Sequence, residues 1–169
     1  MSEVTHSAVT MEELLADFEL TAARWKAFFA ANPGAADVPT DIGRTGTTGA
    51  LIWHIYAASL RHSERVLGEP ISDLEGTTPV KDVTGAWELQ ARAATNMRRF
   101  LATADEATLS TPHAFTTRKS GDVSVTWRKL YLHICTHAIR HWAQIATIVR
   151  QAGYPPDWLH DILFSPAIR

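Results

Sequence analysis

Apolar residues recur at three- and four-residue steps through four separate stretches of the chain, which is the spacing of an amphipathic helix. In the first stretch, from about Thr10 to Ala31, Thr10 and Glu13 have the spacing of a capping box. The apolar stripe of this stretch consists of Leu14, Phe18, Ala22, Trp25 and Phe29. The pattern predicts a helix with one buried face, ended by Asn32-Pro33-Gly34.

Three further stretches have the same spacing and carry capping or breaking residues at their ends. They run from Thr47 or Thr48 to Gly68, from near Ala86 (after Thr84) to Leu101, and from the N-cap Thr126 to Gln151 or Ala152. Gly153 and the two prolines that follow it stop the last helix, and the segment Asp157–Arg169 has room for one more helical turn. The chain therefore contains four predicted long helices.

The connections between these helices predict how they are arranged. Residues Glu69–Val83 form a connection of about fifteen residues, long for neighbouring antiparallel helices. At ~3.3 Å per residue it can cross a whole bundle, so the third helix can run parallel to the second. Before the last helix, Phe115–Thr117 and Val123–Val125 flank a polar segment and predict a small hairpin or extended loop. We expect an all-α fold, a four-helix bundle with a long crossover from helix 2 to helix 3, in one domain of residues 1–169.

Composition excludes several classes of protein. Of the 169 residues, 46% are hydrophobic and 20% are charged, which excludes wholesale disorder. The net charge of −2 gives no basic footprint for nucleic acid, and no apolar run approaches the ~18 residues of a membrane span. The single cysteine, Cys135, excludes a disulfide framework and a cysteine-based metal site. We expect a cytoplasmic protein with a small-molecule substrate that binds neither nucleic acid nor membrane.

Histidine is the residue type whose count and placement suggest chemistry, with eight copies in the chain. His137 and His141 fall in the apolar stripe of the last helix, and His54 falls in the stripe of the second. Core-facing imidazoles are costly unless they are paired or coordinated. Residues four apart on a helix share a face, so His137 and His141 can converge on one ion at metal–nitrogen distances of ~2.0–2.1 Å. With His54 they form three predicted metal ligands, and the fourth position stays open for water or substrate.

The remaining histidines divide into one candidate and four others. His133 extends the row but lies at the edge of the stripe, two turns and ~12 Å from His141, so it is interpreted as a pocket group beside the ligands. His62 is interpreted as a partly exposed residue at the end of the bundle. No role is assigned to the other three, which are His6, His113 and His160.

Neighbours of the predicted ligands are candidate pocket residues. Trp53 and Trp142 directly adjoin His54 and His141 and are expected to shape the pocket. Cys135 points away from the stripe and is interpreted as an inert buried thiol, so any thiol used in catalysis comes from a cosubstrate.

Three functions are compatible with this pattern. The first is a metal-dependent enzyme, the second is a metal- or small-molecule-binding protein without turnover, and the third is a structural bundle with buried histidines. No Asp or Glu lies beside the histidines to act as a general base; Glu64 is ten residues from His54, nearly three helical turns away. This absence disfavours a hydrolase of the zincin type. Replacing His137 by Ala separates the third function from the first two, because only metal-binding proteins lose metal.

The chain resembles the DinB-like superfamily, named for DNA-damage-inducible proteins. The resemblance rests on the helix-2 histidine and on a last helix reading His133-x3-His137-x3-His141-x2-Gln144, followed by a stop at Gly153. It extends from about Thr10 to Phe164. The chain departs from the family pattern at Thr136, where Asn is common, and at Trp142-Ala143, where Arg-Gly is common.

The resemblance implies a fold, a metal site and a class of reaction. It implies a four-helix bundle with a long helix 2 to helix 3 crossover, His54, His137 and His141 as ligands of a divalent metal, and a homodimer. Gln144 belongs to the surroundings of that site. Zinc is expected first and nickel second. The superfamily includes S-transferases that use low-molecular-weight thiols and the DinB-like domain of mycothiol-dependent maleylpyruvate isomerase. The implied function is thiol-dependent S-transfer or isomerisation of a small electrophile; the alternative is a non-catalytic stress-response protein.

Overall fold

The computed structural model describes residues 9–74, 82–117 and 121–169. Its long helices are α1 (Met11–Ala31), α2 (Thr48–Val66), α3 (Val83–Leu101) and α5 (Trp127–Gln151), and a short helix, α4 (Glu106–Ser110), precedes the hairpin. The strands are β1 (Pro39–Thr40), β2 (Gly46–Thr47), β3 (Pro112–Thr117) and β4 (Gly121–Thr126). The all-α class and the four long helices predicted from the sequence are confirmed.

Local capping explains where the helices begin. The Thr10 side chain accepts a hydrogen bond from the Glu13 amide, and the Glu13 carboxylate accepts one from the Thr10 amide at 2.8 Å, which is the predicted capping box. The predicted start of α3 near Ala86 is wrong by about one turn. Asp82 caps that helix by accepting a hydrogen bond from the Gly85 amide at 2.8 Å, so the helix begins at Val83.

The direction of the helices follows from the order of their contacts. Between α2 and α3, Tyr56 contacts Trp87 and Ser63 contacts Asn96, so residue numbers rise together and the two helices are parallel. This is the arrangement that the long connection predicts, and part of that connection, residues 75–81, lies outside the described residues. Between α2 and α5 the order is reversed, because His54 contacts His141 whereas His62 contacts His133.

A cluster of aromatic rings forms the centre of the core. Trp25 of α1 is fully buried and stacks on Trp142 of α5, with ring centroids 4.9 Å apart. Trp87 of α3 stacks on the same Trp142 ring at 6.4 Å. Large buried aromatic rings contribute much of the stabilisation of such a core. The cluster therefore fixes the position of α5, which carries His133, His137 and His141, against α1 and α3.

The predicted hairpin is present and leads directly into α5. β3 and β4 pair antiparallel, with Phe115 opposite Val123, and residues 118–120 at the tip lie outside the described residues. Thr126 caps α5 by accepting a hydrogen bond from the Lys129 amide, as predicted. Gly153 follows the helix with φ +88°, a conformation that glycine adopts without strain.

The last segment adds one 3-10 turn, Ile162–Phe164, where an additional helical turn is predicted. Among the described residues, none of the helices is long and apolar enough to cross a membrane.

Candidate metal centre

Helices α2 and α5 bring three histidines from distant parts of the sequence to one place. His54 lies on α2, and His137 and His141 lie one turn apart on α5. One side-chain atom of each, a ring nitrogen able to bind a metal, lies within 4.8 Å of the corresponding atoms of the other two. The ring centroids are 4.6 Å apart for His137 and His141, and 5.3 and 5.5 Å for His54 with His141 and His137. We call these three residues the triad.

The triad lies at the margin of the core and not at its centre. The sequence predicts core-facing positions for His137 and His141, but both are only partly buried. The most buried line of α5 instead passes through Ala138, Trp142 and Ile145, each at most 3% exposed. The prediction of core-facing histidines is corrected in this respect. A marginal position suits a binding site, because the ring nitrogens stay accessible while the ring bodies remain packed.

Burial keeps the two α5 rings of the triad in the form that binds metals. It lowers the pKa of His137 from 6.5 to about 3, and the neighbouring imidazoles, His141 before His54, add to the effect. Burial also lowers the pKa of His141. Both rings are therefore neutral near pH 7, with a lone pair on one nitrogen of each ring available for coordination.

Gln144 fixes the orientation of one of these rings. Its amide oxygen lies 2.7 Å from Nδ1 of His141, so Nδ1 carries the proton and donates the hydrogen bond. The lone pair of the neutral ring is then on Nε2, the nitrogen left to bind an ion. A partner that holds the second nitrogen of a ligating histidine is a usual part of metal sites. Gln144 therefore lies in hydrogen-bond contact with one ring of the triad.

Two further histidines extend the triad into a continuous row. The ring centroid of His133 lies 5.4 Å from that of His137, and His62 lies 5.3 Å from His133. We call His62 and His133 the outer pair. His133 therefore contacts one ring of the triad. His62 is the residue that sequence reasoning missed, although the signal existed: it lies eight residues after His54, just as His133 lies eight residues before His141 on the antiparallel helix.

The other predicted pocket residues are arranged differently. Trp142 is buried, with its ring between those of Trp25 and Trp87, so it anchors α5 in the core and does not face an open pocket. Trp53 is buried beside Gly85 of α3. Cys135 is buried, as predicted, and lines a small cavity against α1 with Asp17.

Glu64, the carboxylate that the sequence offers on α2, is held by other residues. Glu64 is 3% exposed and accepts hydrogen bonds from the Ser72 amide at 2.9 Å and from the Arg92 guanidinium at 3.3 Å. It therefore ties the segment after α2 to α3. Among the described residues, the only group of three or more His, Cys, Asp or Glu side chains that could hold a metal ion is the triad, which has no carboxylate.

The donor set and its spacing fit a divalent transition metal. Two nitrogens bound to one zinc ion at ~2.1 Å lie about 3.4 Å apart in tetrahedral geometry. With ligand atoms no more than 4.8 Å apart, each pair of the triad is at most about 1.4 Å wider than this. Small rotations of the imidazole rings can close a gap of that size. Imidazole nitrogens suit zinc, nickel, copper and iron better than magnesium or calcium.

The fold and the histidine triad define a class of helical bundles with a candidate metal site between two helices. The model of the DinB family matches residues 5–166, and the chain belongs to that family. No curated protein matches the sequence.

Proposed function

We propose that His54, His137 and His141 bind one divalent transition metal ion, zinc before nickel, and that the protein is a metal-dependent enzyme. The observation that carries the proposal is the convergence of three imidazole nitrogens to within 4.8 Å, in a protein of the DinB family. Three protein ligands leave at least one coordination position for another molecule, which is the arrangement of catalytic zinc sites.

The proposed reaction is transfer of a low-molecular-weight thiol to a small electrophile, or a thiol-assisted isomerisation. A metal ion bound at the triad would supply Lewis acidity and stabilise a thiolate near neutral pH. The chain itself offers no reactive thiol, because burial raises the pKa of Cys135 from 9.0 to about 12. The nucleophile therefore comes from a cosubstrate.

The chain's own residues orient the proposed metal ligands and keep them neutral. Gln144 holds the His141 ring in one tautomer, and burial keeps the His137 ring neutral and ready to coordinate. The triad contains no carboxylate, and Glu64, the acidic residue on α2, is held by Ser72 and Arg92 and is not positioned as a general base of the kind that zinc hydrolases use. A thiolate needs no such base once its proton has been lost. This difference favours thiol chemistry over hydrolysis.

The same missing carboxylate also favours a second candidate function. A protein that only binds a metal or small molecule, for example in a stress response, needs the triad but no acid or base. The two functions differ in turnover and not in metal content.

The decisive experiment uses untagged protein, because a histidine tag can introduce nickel. Elemental analysis should find close to one zinc or nickel per chain, and His137→Ala should abolish it. The matched control is His113→Ala, which removes a histidine that stacks on Trp127 of α5 outside the triad and should retain the metal. Equal metal content in both variants contradicts the proposed site.

A second step separates the enzyme from the binding protein. Metal-loaded protein is mixed with a thiol and a small electrophile such as 1-chloro-2,4-dinitrobenzene or a maleate ester, and thiol loss is followed. Turnover that disappears in His137→Ala supports the enzyme. Metal binding without thiol loss over a panel of such electrophiles favours the non-catalytic protein.

A further inference from the structure

The row of imidazoles continues beyond the triad to the outer pair. His133 contacts His137 with ring centroids 5.4 Å apart, and His62 contacts His133 at 5.3 Å. Ala58 lies between His54 and His62 on the same face of α2, one turn from each, and its small side chain adds little bulk there. A small molecule bound at the triad therefore lies next to the outer pair, because the ring centroid of His133 is only 5.4 Å from that of His137.

A positively charged side chain contacts one ring of the outer pair. The guanidinium of Arg65 donates a hydrogen bond to Nδ1 of His62 at 3.3 Å and lies 4.7 Å from the ring centroid of Phe115 on β3. Burial, followed by the positive charge of Arg140, lowers the pKa of His133.

The nearest acidic group along α2 does not balance this charge. Glu64 lowers the energy of a charged Arg65 somewhat, but its carboxylate is held by Ser72 and Arg92 on the side of α3. Like charges gathered at a partly buried position repel one another and strengthen the attraction for an anion.

Hydrogen bonding at the outer pair also favours an anion. Arginine only donates, so Nδ1 of His62 must accept, and the neutral ring carries its proton on Nε2. Burial and the neighbouring arginines favour this neutral form. His62 therefore offers an N–H donor beside a guanidinium, a combination that suits a carboxylate.

We propose that His62, His133 and Arg65 form a subsite that binds the carboxylate of a small molecule whose reactive end lies at the triad. The reactive end rests on the function proposed above, whereas the carboxylate subsite does not require a metal. The substrate class becomes narrower: a short carboxylate-bearing thiol or electrophile is preferred over its neutral or cationic analogue.

Two titrations test the proposal with the full-length chain. In the first, metal-free protein is titrated with propionate, and the ring nitrogen signals of the histidines are followed by NMR. In the second, zinc-loaded protein is titrated with 3-mercaptopropionate and with 2-mercaptoethanol, which share a thiol and differ in the carboxylate. We expect propionate to shift the signals of the outer pair and 3-mercaptopropionate to bind about tenfold more tightly than 2-mercaptoethanol.

Substitutions at Arg65 test whether its side chain is responsible for the preference for the carboxylate. Arg65→Gln should reduce the preference for the carboxylate to less than about twofold, and Arg65→Lys, which keeps the charge, should retain most of it. The matched control is Arg99→Gln. It removes the same charge from α3, where Arg99 forms an exposed ion pair with Glu69, and it should leave the preference for the carboxylate unchanged. Metal content should be the same in all three variants, because none of these residues belongs to the triad.

Each result has a definite meaning. The subsite is wrong if propionate leaves the outer pair unshifted, or if the shifts are unchanged in Arg65→Gln. Its link to the triad is wrong if zinc-loaded protein binds the two thiols equally. If the chain binds no metal, the proposed function fails, and the propionate titration still decides the subsite by itself.

Discussion

Gln144 and His141 form a hydrogen bond of 2.7 Å within one turn of α5, and this contact decides which nitrogen of His141 is left to bind an ion. The donor is Nδ1, so Nε2 carries the lone pair. A helical i, i+3 pair can hold a ring in this way without any contribution from another element. The geometry of the triad is therefore set partly within α5 itself.

Gln144→Ala should weaken metal binding about 10- to 100-fold, because the His141 ring loses the partner that fixes its tautomer. A competition titration against a zinc chelator measures the change. Gln151→Ala, at the end of the same helix, is the matched control and should bind as the wild-type chain does. Equal affinity in the two variants contradicts the role given to Gln144.

Zinc should stabilise the fold because it binds the folded chain, by an amount set by the logarithm of its free concentration relative to the Kd. At a free metal concentration 100 times the Kd, binding adds about 2.7 kcal/mol to the free energy of unfolding, or about 5–10 °C in Tm for a chain of this size. A chelator should reverse the shift, and His137→Ala should show none. A rise in Tm that persists in His137→Ala would place the metal elsewhere. Scanning calorimetry makes the comparison.

His160 should make stability depend on pH in the acidic range. Its ring stacks on Trp25, and burial, followed by Arg150 and Arg24, lowers its pKa from 6.5 to about 4. Between these values the unfolded chain binds a proton that the folded chain does not. The free energy of unfolding therefore falls as the pH drops from about 6.5 to about 4, by at most about 1.4 kcal/mol per pH unit, and this group has no effect at higher pH.

His160→Phe keeps an aromatic ring against Trp25 and removes the titrating group. Urea unfolding at about pH 7 and about pH 5 should show a smaller loss of stability in this variant than in the wild-type chain. The metal-free form is used for both, so that protonation of the triad contributes equally. An unchanged pH dependence would show that the pKa of His160 is the same in the folded and unfolded chains.

Cys135 should be chemically inert in the folded protein. It is 2% exposed, and burial raises the pKa of its thiol to about 12, so almost no thiolate is present near pH 7. A colorimetric thiol reagent should react with it only after denaturation. Cys135→Ala should retain any thiol-dependent turnover. Rapid labelling of the native chain, or loss of turnover in the variant, would make Cys135 a participant.

Glu64 should be required for stability and not for metal binding. Glu64→Ala leaves the Ser72 amide and the Arg92 guanidinium without their buried acceptor, at a cost of about 1–3 kcal/mol. Urea unfolding measures the loss, and elemental analysis should show unchanged metal content. Arg128→Ala, which breaks an exposed ion pair with Glu106, is the control and should cost less than about 1 kcal/mol. A loss of metal in Glu64→Ala would give Glu64 a place in the site.

Much of this structure follows from local sequence rules. The capping box at Thr10, the cap at Thr126 and the spacing of His137 and His141 depend on residues within a few positions of one another, so they could be predicted. The start of α3 could also have been predicted, because Asp82 is a strong N-cap; the competing signal from Thr84 misplaced it.

Relationships between helices could not be predicted to the same degree. Periodicity places His137 and His141 on one face, but the position of that face relative to the core depends on how Trp142 packs against Trp25 and Trp87. Because that large ring takes the centre, the histidines are displaced to the margin, where they remain accessible.

Local sequence patterns are enough to predict the long helices, most of their caps and the set of three histidines on α2 and α5. Only the packing of separate elements brings His62 to His133 and Arg65 to Phe115 on β3. The physical reason is range: helix geometry fixes neighbours three or four residues apart, whereas the register of two antiparallel helices is set by side-chain packing along their whole length.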